Sequence, residues 1–211
     1  VVTIPVKLGA LTSSQLAAIG ALLTSHDRLI GLASLGRSVV EGCSAVAWVL
    51  DDTVTSEVRH RRAWLLWAVA EGNAALTAVE DAGRTGAMSG SPRRLADIEE
   101  AIHRRLGARL ERSTKAKPKD WRLDGVSLPG PRALVASAVA KWFPGGNAGV
   151  LYSQVSRKAH SDVLVALALV DDALAVSRGE GVDFVSTTLA FWGLTWNHVL
   201  SYLGVASPDF D

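Results

Sequence analysis

Residues 32–50 read LASLGRSVVEGCSAVAWVL and dominate the interpretation of the whole chain. Apolar side chains recur there at steps of three and four residues, as they do on one face of an α-helix. They are Leu32, Leu35, Val39, Cys43, Val46 and Leu50. Upstream, apolar residues extend the pattern back to Leu16, and Thr12 with Gln15 forms a capping box that starts a helix. The sequence predicts one long helix, or two collinear helices with a break near residues 25–27, ending at Leu50.

Further helices are predicted by the same periodicity downstream. One begins near Ser56 after a turn rich in capping residues, and another begins at Ser91, which a proline follows. Glycine and proline separate three more, at about 132–143, 149–177 and 183–204. No stretch alternates like a strand between hairpin turns. These patterns predict an all-α protein, a single-domain antiparallel bundle of five to seven helices over residues 1–211, with a mobile or functional loop at about 113–131.

The composition excludes several classes of protein. Of 211 residues, 48% are hydrophobic, which excludes a disordered chain. The 22 Lys and Arg residues balance the 21 Asp and Glu residues, which argues against nucleic acid as the general partner. Cys43 is the lone cysteine, so no intramolecular disulfide forms, and we expect a cytoplasmic protein. The uncharged stretch 184–208 holds seven polar side chains between Ser186 and Ser201 alone, which favours a buried helix over a membrane span. No signal peptide is recognisable, although a trimmed leader stays open, and no cofactor is predicted.

Polar side chains on two predicted helices form the candidate site. Arg37 and Glu41 lie four residues apart on one helix, with Trp48 further along the same edge of the apolar stripe. On another helix the spacing i, i+4 and i+8 places Tyr152, Ser156 and His160 on one face. Buried polar groups need partners. If the helices are neighbours, Glu41 pairs with His160 or Tyr152, and Arg37 neutralises Glu41.

Two interpretations of this set stay open. It is either a hydrogen-bond network that sets the register of the helices, or the polar end of an apolar pocket that binds a small ligand or a protein partner. We favour binding, with Arg37, Glu41, Trp48, Tyr152, Ser156 and His160 as the binding residues. The alternative is an enzyme in which His160 and Glu41 transfer a proton beside Tyr152. Whether the protein is an enzyme stays open.

Tryptophans and basic residues suggest further contacts. Six of seven tryptophans fall on predicted helices, more than a small core needs, so some of them are expected to line a pocket or a homo-oligomer interface. Residues 93–122 are rich in arginine and lysine, which is typical of a solvated helix face or of a contact for nucleic acid or an acidic partner. In that segment Trp121, next to Arg122, is a candidate for stacking on a base.

Two Glu-x-x-His pairs, Glu57 with His60 and Glu100 with His103, resemble the spacing of ligands in di-iron helical bundles. The helical wheel, however, places Glu100 away from the apolar stripe of its helix. Arginines flank both histidines, and their charge disfavours a bound dication. We therefore predict no metal site.

The combination of Arg37-x3-Glu41, Trp48, Asp51-Asp52, Arg59, Arg62 and Tyr152-x3-Ser156-x3-His160 resembles an uncharacterised all-helical protein family of actinobacteria. The resemblance spans most of residues 30–200 and implies a helical bundle, without implying an activity. A more distant likeness is to HEPN-type helical domains, whose ribonuclease members carry Arg, four to six residues, and then His. None of the five histidines has an arginine at that spacing, which argues against a HEPN-type ribonuclease and leaves a non-catalytic helical module open.

Overall fold

Helices dominate the structure, a computed structural model that describes residues 3–24, 32–85, 91–112, 117–160 and 177–205. Seven α-helices lie in these ranges: α1 (Thr3–Thr24), α2 (Leu32–Val49), α3 (Ser56–Thr85), α4 (Ser91–Leu106), α5 (Pro131–Trp142), α6 (Ala148–His160) and α7 (Ser177–Tyr202). The predicted all-α class is therefore confirmed. The predicted starts at Ser56 and Ser91 are also confirmed. The predicted helix over 149–177 matches α6 as far as His160, and residues 161–176 lie outside the described ranges.

The chain forms two compact units. The first, called here the α2 unit, comprises Val2–Leu50 and Pro131–Asp211, and the second, called the α3 unit, comprises Asp51–Gly130. The prediction of a single helical domain over residues 1–211 stays a prediction.

Helix α2 is the centre of the α2 unit and packs against α1, α5, α6 and α7. Every residue from Cys43 to Leu50 is buried. A helix with so few polar side chains is stable only where neighbours cover all its faces. The core around α2 combines side chains from four helices: Ile19, Val39, Val40, Cys43, Ala47, Val135, Ala138, Val139 and Phe191.

Helices α1 and α2 lie side by side, so the prediction of one long helix or two collinear helices is wrong. A Cβ atom at Gly42 would lie 2.9 Å from the Cγ2 atom of Thr12, which shows how closely the two helices approach. Thr12 is inside α1, where its hydroxyl donates to the carbonyl of Gly9 at 2.9 Å. The predicted capping box at Thr12 is therefore also wrong, because this hydroxyl bonds back within the helix. The predicted break at 25–27 lies outside the described residues.

Two tryptophans of α7 share one hydroxyl group of α1. The Nε1–H groups of Trp192 and Trp196 donate to Ser13 Oγ at 3.1 and 3.2 Å, and that hydroxyl donates to the carbonyl of Gly9 at 2.8 Å. A Cβ atom at Gly9 would lie 3.0 Å from the Trp196 ring. These two indoles therefore join α7 to α1, which is a structural role.

The α3 unit combines α3 and α4 with a small antiparallel sheet of order β1 (Leu110–Glu111), β2 (Arg122–Leu123) and β3 (Val126–Ser127). A short 3-10 helix, Pro118–Asp120, precedes β2. Asp124 and Gly125 join β2 to β3 with φ angles of 47° and 76°, as the turn of a two-residue hairpin requires. Residues 117–130 of the predicted loop therefore include a 3-10 helix and a hairpin that were not predicted from the sequence, and the mobile or functional role of the loop at about 113–131 stays a prediction. Strands of two residues are too short to show an alternation of polar and apolar residues. The Asp124-Gly125 pair, which is typical of a hairpin turn, was the available sequence signal.

Trp121 is buried in the α3 unit, with 5% of its surface exposed, so the prediction that it is free to stack on a base is wrong. Its ring packs on Gly72 of α3, and a Cβ atom at Gly72 would overlap the ring carbons. The guanidinium of Arg112 lies 5.5 Å from the ring centroid and pairs with Glu99 at 2.7 Å. This tryptophan anchors the sheet segment to α3.

We expect Gly72→Ala to destabilise the protein by about 1–3 kcal/mol, because the added methyl displaces a buried indole. The control is Gly20→Ala in α1, where the Cβ position has no neighbouring atom within 4 Å. There the substitution should stabilise the helix by roughly 0.5–1 kcal/mol. Urea denaturation measures both changes, and equal effects of the two substitutions would contradict the packing described for Trp121.

Asp51 begins the α3 unit and ties the turn after α2 to α3. Its carboxylate accepts hydrogen bonds from the amide and hydroxyl of Thr53, at 3.1 and 2.7 Å, and from Arg62 Nη1 at 3.0 Å. Burial by itself would raise the pKa of Asp51, but the bonds from Thr53 and Arg62 outweigh it, so this pKa lies below the ordinary value of 3.8. The charged form is thus the one that stabilises the fold.

Asp51→Asn should cost about 1–2 kcal/mol of unfolding free energy at pH 7, since charge-assisted bonds are lost. A carboxylate whose pKa is lowered by folding stabilises the fold at pH values above its ordinary pKa. This stabilisation is lost as the pH falls through the lowered pKa. The difference between parent and variant should therefore shrink below about pH 4. Urea titrations at pH 7 and pH 3 measure it, and an undiminished difference at pH 3 would refute this role of the carboxylate.

Candidate functional site

Three of the six predicted site residues meet where α6 crosses α2. Arg37 Nε donates to Glu41 Oε1 at 2.8 Å, and the Tyr152 hydroxyl donates to the same oxygen at 3.3 Å. Both charged side chains are half-buried. We call Arg37, Glu41 and Tyr152 the polar cluster. The hydrogen bond between Tyr152 and Glu41 is one of the two pairings that the sequence predicted for Glu41.

The polar cluster is electrically balanced. The pKa of the Arg37 guanidinium is raised, chiefly by its hydrogen bond to Glu41, while burial opposes the shift and Tyr152 adds to it. One carboxylate oxygen thus accepts a bond from its own helix and a bond from α6. This arrangement fastens α6 to α2, as expected of a network that sets helix register.

The other three predicted residues are Trp48, Ser156 and His160. Trp48 is buried further along α2, with 9% of its surface exposed. Ser156 lies half-buried on α6. His160 is the last residue of α6, and its side chain lies outside the described residues, so its pairing with Glu41 stays a prediction.

A pocket of about 420 Å³ lies between α5, α6 and α7. Its lining is mostly apolar, with an amide and two hydroxyl side chains: Val139, Phe143, Gly146, Asn147, Leu151, Ser186, Thr187, Ala190 and Phe191. The rings of Phe143 and Phe191 contact each other with centroids 5.5 Å apart. No charged side chain lines this pocket in the described part of the chain. Such a lining is typical of sites for small molecules.

The turn between α5 and α6 shapes one end of the pocket. Gly145 has a φ angle of 83°, which favours glycine. A Cβ atom at Gly146 would lie 2.9 Å from the carbonyl oxygen of Phe143, so a side chain there would displace the turn. Asn147 then caps α6, because its Oδ1 atom accepts the amide hydrogen of Val150 at 3.0 Å. The capping bond holds Asn147 at the pocket wall.

Of the six predicted residues, the five whose side chains the structure describes do not line this pocket, although Leu151 lines it and its neighbour Tyr152 belongs to the polar cluster. No tryptophan lines it either. Sequence reasoning missed Asn147, Ser186 and Thr187. Asn147 was recognisable as a helix cap after the Pro-Gly-Gly stop, whereas the two hydroxyls carry no signal in an uncharged segment.

The Glu-x-x-His pairs do not converge on a metal site. Glu57 pairs with Arg61 at 2.8 Å, and Glu100 with Arg104 at 3.6 Å. No group of three or more His, Cys, Asp or Glu side chains suited to a metal ion occurs in the described part of the chain. These glutamates therefore act in charge pairs along α3 and α4.

Ion pairs also neutralise part of the basic segment 93–122. Three arginines of this segment form ion pairs with glutamates of the α3 unit at 2.7–3.6 Å: Arg94 with Glu71, Arg104 with Glu100, and Arg112 with Glu99. The interpretation of this segment as a contact for nucleic acid or an acidic partner stays a prediction.

None of the described helices is both long enough and apolar enough to cross a lipid bilayer. Comparison with protein-family models, curated proteins and solved structures finds no match to this chain. The resemblances to an actinobacterial helical family and to HEPN-type domains therefore stay predictions.

We expect Tyr152→Phe to reduce the free energy of unfolding by about 0.5–1.5 kcal/mol, because it removes one hydrogen bond and leaves the ring in place. A double-mutant cycle with Glu41→Ala, which removes the accepting oxygen, isolates the Tyr152–Glu41 hydrogen bond when each variant is followed by urea denaturation. The effect of Tyr152→Phe should be smaller in the Glu41→Ala background. Strict additivity of the two substitutions would show that the cluster does not join α6 to α2.

Proposed function

We propose that the α2 unit binds a small, mainly apolar molecule in the pocket between α5, α6 and α7. The observation that supports the proposal is the pocket itself, whose volume of about 420 Å³ falls within the usual range for small-molecule sites. Burial of apolar surface against Phe143, Leu151 and Phe191 would supply most of the affinity. The polar groups of Asn147, Ser186 and Thr187 would orient the ligand through hydrogen bonds.

In this proposal the polar cluster supports the pocket wall. Helix α6 supplies Leu151 to the lining, and the next residue, Tyr152, bonds to Glu41 of α2. The hydrogen bond between Tyr152 and Glu41 therefore helps to fix the position of the α6 wall of the pocket. A direct contact between the ligand and Arg37, Glu41, Trp48, Tyr152, Ser156 or His160 stays a prediction.

Binding is favoured over an enzyme that uses Glu41 and His160 for proton transfer. Glu41 Oε1 already accepts hydrogen bonds from Arg37 and Tyr152, so a role as proton acceptor would require those bonds to break. Among the residues that the structure describes, no histidine and no carboxylate lines the pocket. Proton transfer at His160 remains the alternative, and a protein partner on the same unit is a further one.

Octanol is a suitable first probe because it is neutral and mainly apolar. We expect saturable binding to the parent protein in calorimetry or in ligand-observed NMR. Ala190→Phe should weaken this binding at least about tenfold, since the larger ring fills the pocket from α7.

Leu189→Phe is the matched control, because it adds a ring at the preceding position, whose side chain is 49% exposed. Octanol affinity should stay unchanged in this variant, and circular dichroism should show that both variants fold. Absence of binding to the parent, or equal binding to Ala190→Phe, would overturn the proposed function.

A further inference from the structure

Arg132 of α5 places a guanidinium group beside one end of the pocket. Its Nη2 atom lies 3.8 Å from the Cβ position of Gly149, and the Oδ1 atom of Asn147 lies 3.4 Å from the same position. Asn147 lines the pocket. The cationic group and a pocket-lining amide therefore share one small region at the start of α6.

The helical register of α5 supports this placement. Arg132 precedes Val139 by seven residues, which is about two turns, so both lie on the same face of α5. Val139 lines the pocket. Lys141 lies two residues beyond Val139, about 200° around the helix, and so belongs to the opposite face.

The charge of Arg132 is not balanced by a carboxylate in the described residues, where its side chain is exposed and forms no ion pair. Among the described residues, no charged side chain lines the pocket beside it. A mainly apolar cavity with a cation at its edge complements a molecule that has an apolar body and an anionic end. A guanidinium accepts a carboxylate through two parallel hydrogen bonds, whereas it repels an amine.

We propose that the ligand of this pocket is an amphipathic carboxylate whose apolar body fills the pocket and whose carboxylate pairs with Arg132. This inference rests on the proposed function and adds the chemical class of the ligand and its orientation. The apolar end would contact Phe143 and Phe191, and the acidic end would lie near Asn147.

Octanoate and octanol test the inference as a pair, because they share an alkyl chain and differ in the charge of the end group. Calorimetric titrations would compare the two with the parent, with Arg132→Gln and with Lys141→Gln. We expect octanoate to bind the parent about fivefold tighter than octanol, the size of effect that a partly exposed ion pair gives. Arg132→Gln should abolish this preference and leave octanol affinity unchanged, while Lys141→Gln should retain the preference.

The outcomes separate the two proposals. Suppose that octanol binds the parent and that Ala190→Phe excludes it. If the parent then binds octanoate no tighter than octanol, or if Arg132→Gln still binds octanoate tighter, the carboxylate assignment is wrong and the proposed pocket stands. If neither probe binds the parent, both proposals fail. A preference that depends on Arg132 and weakens at high salt supports the assignment, since salt screens exposed charges.

Discussion

The burial of α2 is the constraint on which the α2 unit depends. Residues 43–50 offer no polar face to water, so four helices must pack around them. Helices can approach each other this closely only where small residues lie at the contact. Gly42 packs against Thr12, and Gly9 packs against Trp196. Several of the polar groups inside are paired: Thr12 and Ser13 bond to the carbonyl of Gly9, and the indoles of α7 bond to Ser13.

The pocket follows from how α6 is held within this arrangement. Tyr152 bonds to Glu41 on α2, and Asn147 caps the first turn of α6, so polar contacts restrain the helix at both places. The Gly145-Gly146 turn gives α5 and α6 a connection that bulkier residues would not allow. The space left beside α7 is lined by phenylalanine and leucine, which explains its apolar character.

The sequence predicted the helical class from periodicity, and it offered Tyr152 as one of two partners for Glu41 on the condition that their helices are neighbours. Spacing of three and four residues places side chains on a face, and a half-buried carboxylate requires a donor. The side-by-side packing of α1 and α2 was not predictable in this way, since periodicity reports the face of a helix and not its neighbour. The Asp124-Gly125 hairpin was missed because its strands are too short to alternate. The lining of this pocket was missed because a cavity depends on how helices pack, and α7 contributes to it from a later part of the chain than α5 and α6.

The central claim is that a ligand enters the space between α5, α6 and α7. Titration of isotope-labelled protein with octanoate, followed by amide chemical shifts, locates the bound molecule directly. The account predicts saturable shifts at Gly146, Leu151 and Ala190, with little change at the amides of the α3 unit. Shifts centred on the polar cluster alone, or confined to the α3 unit, would contradict it.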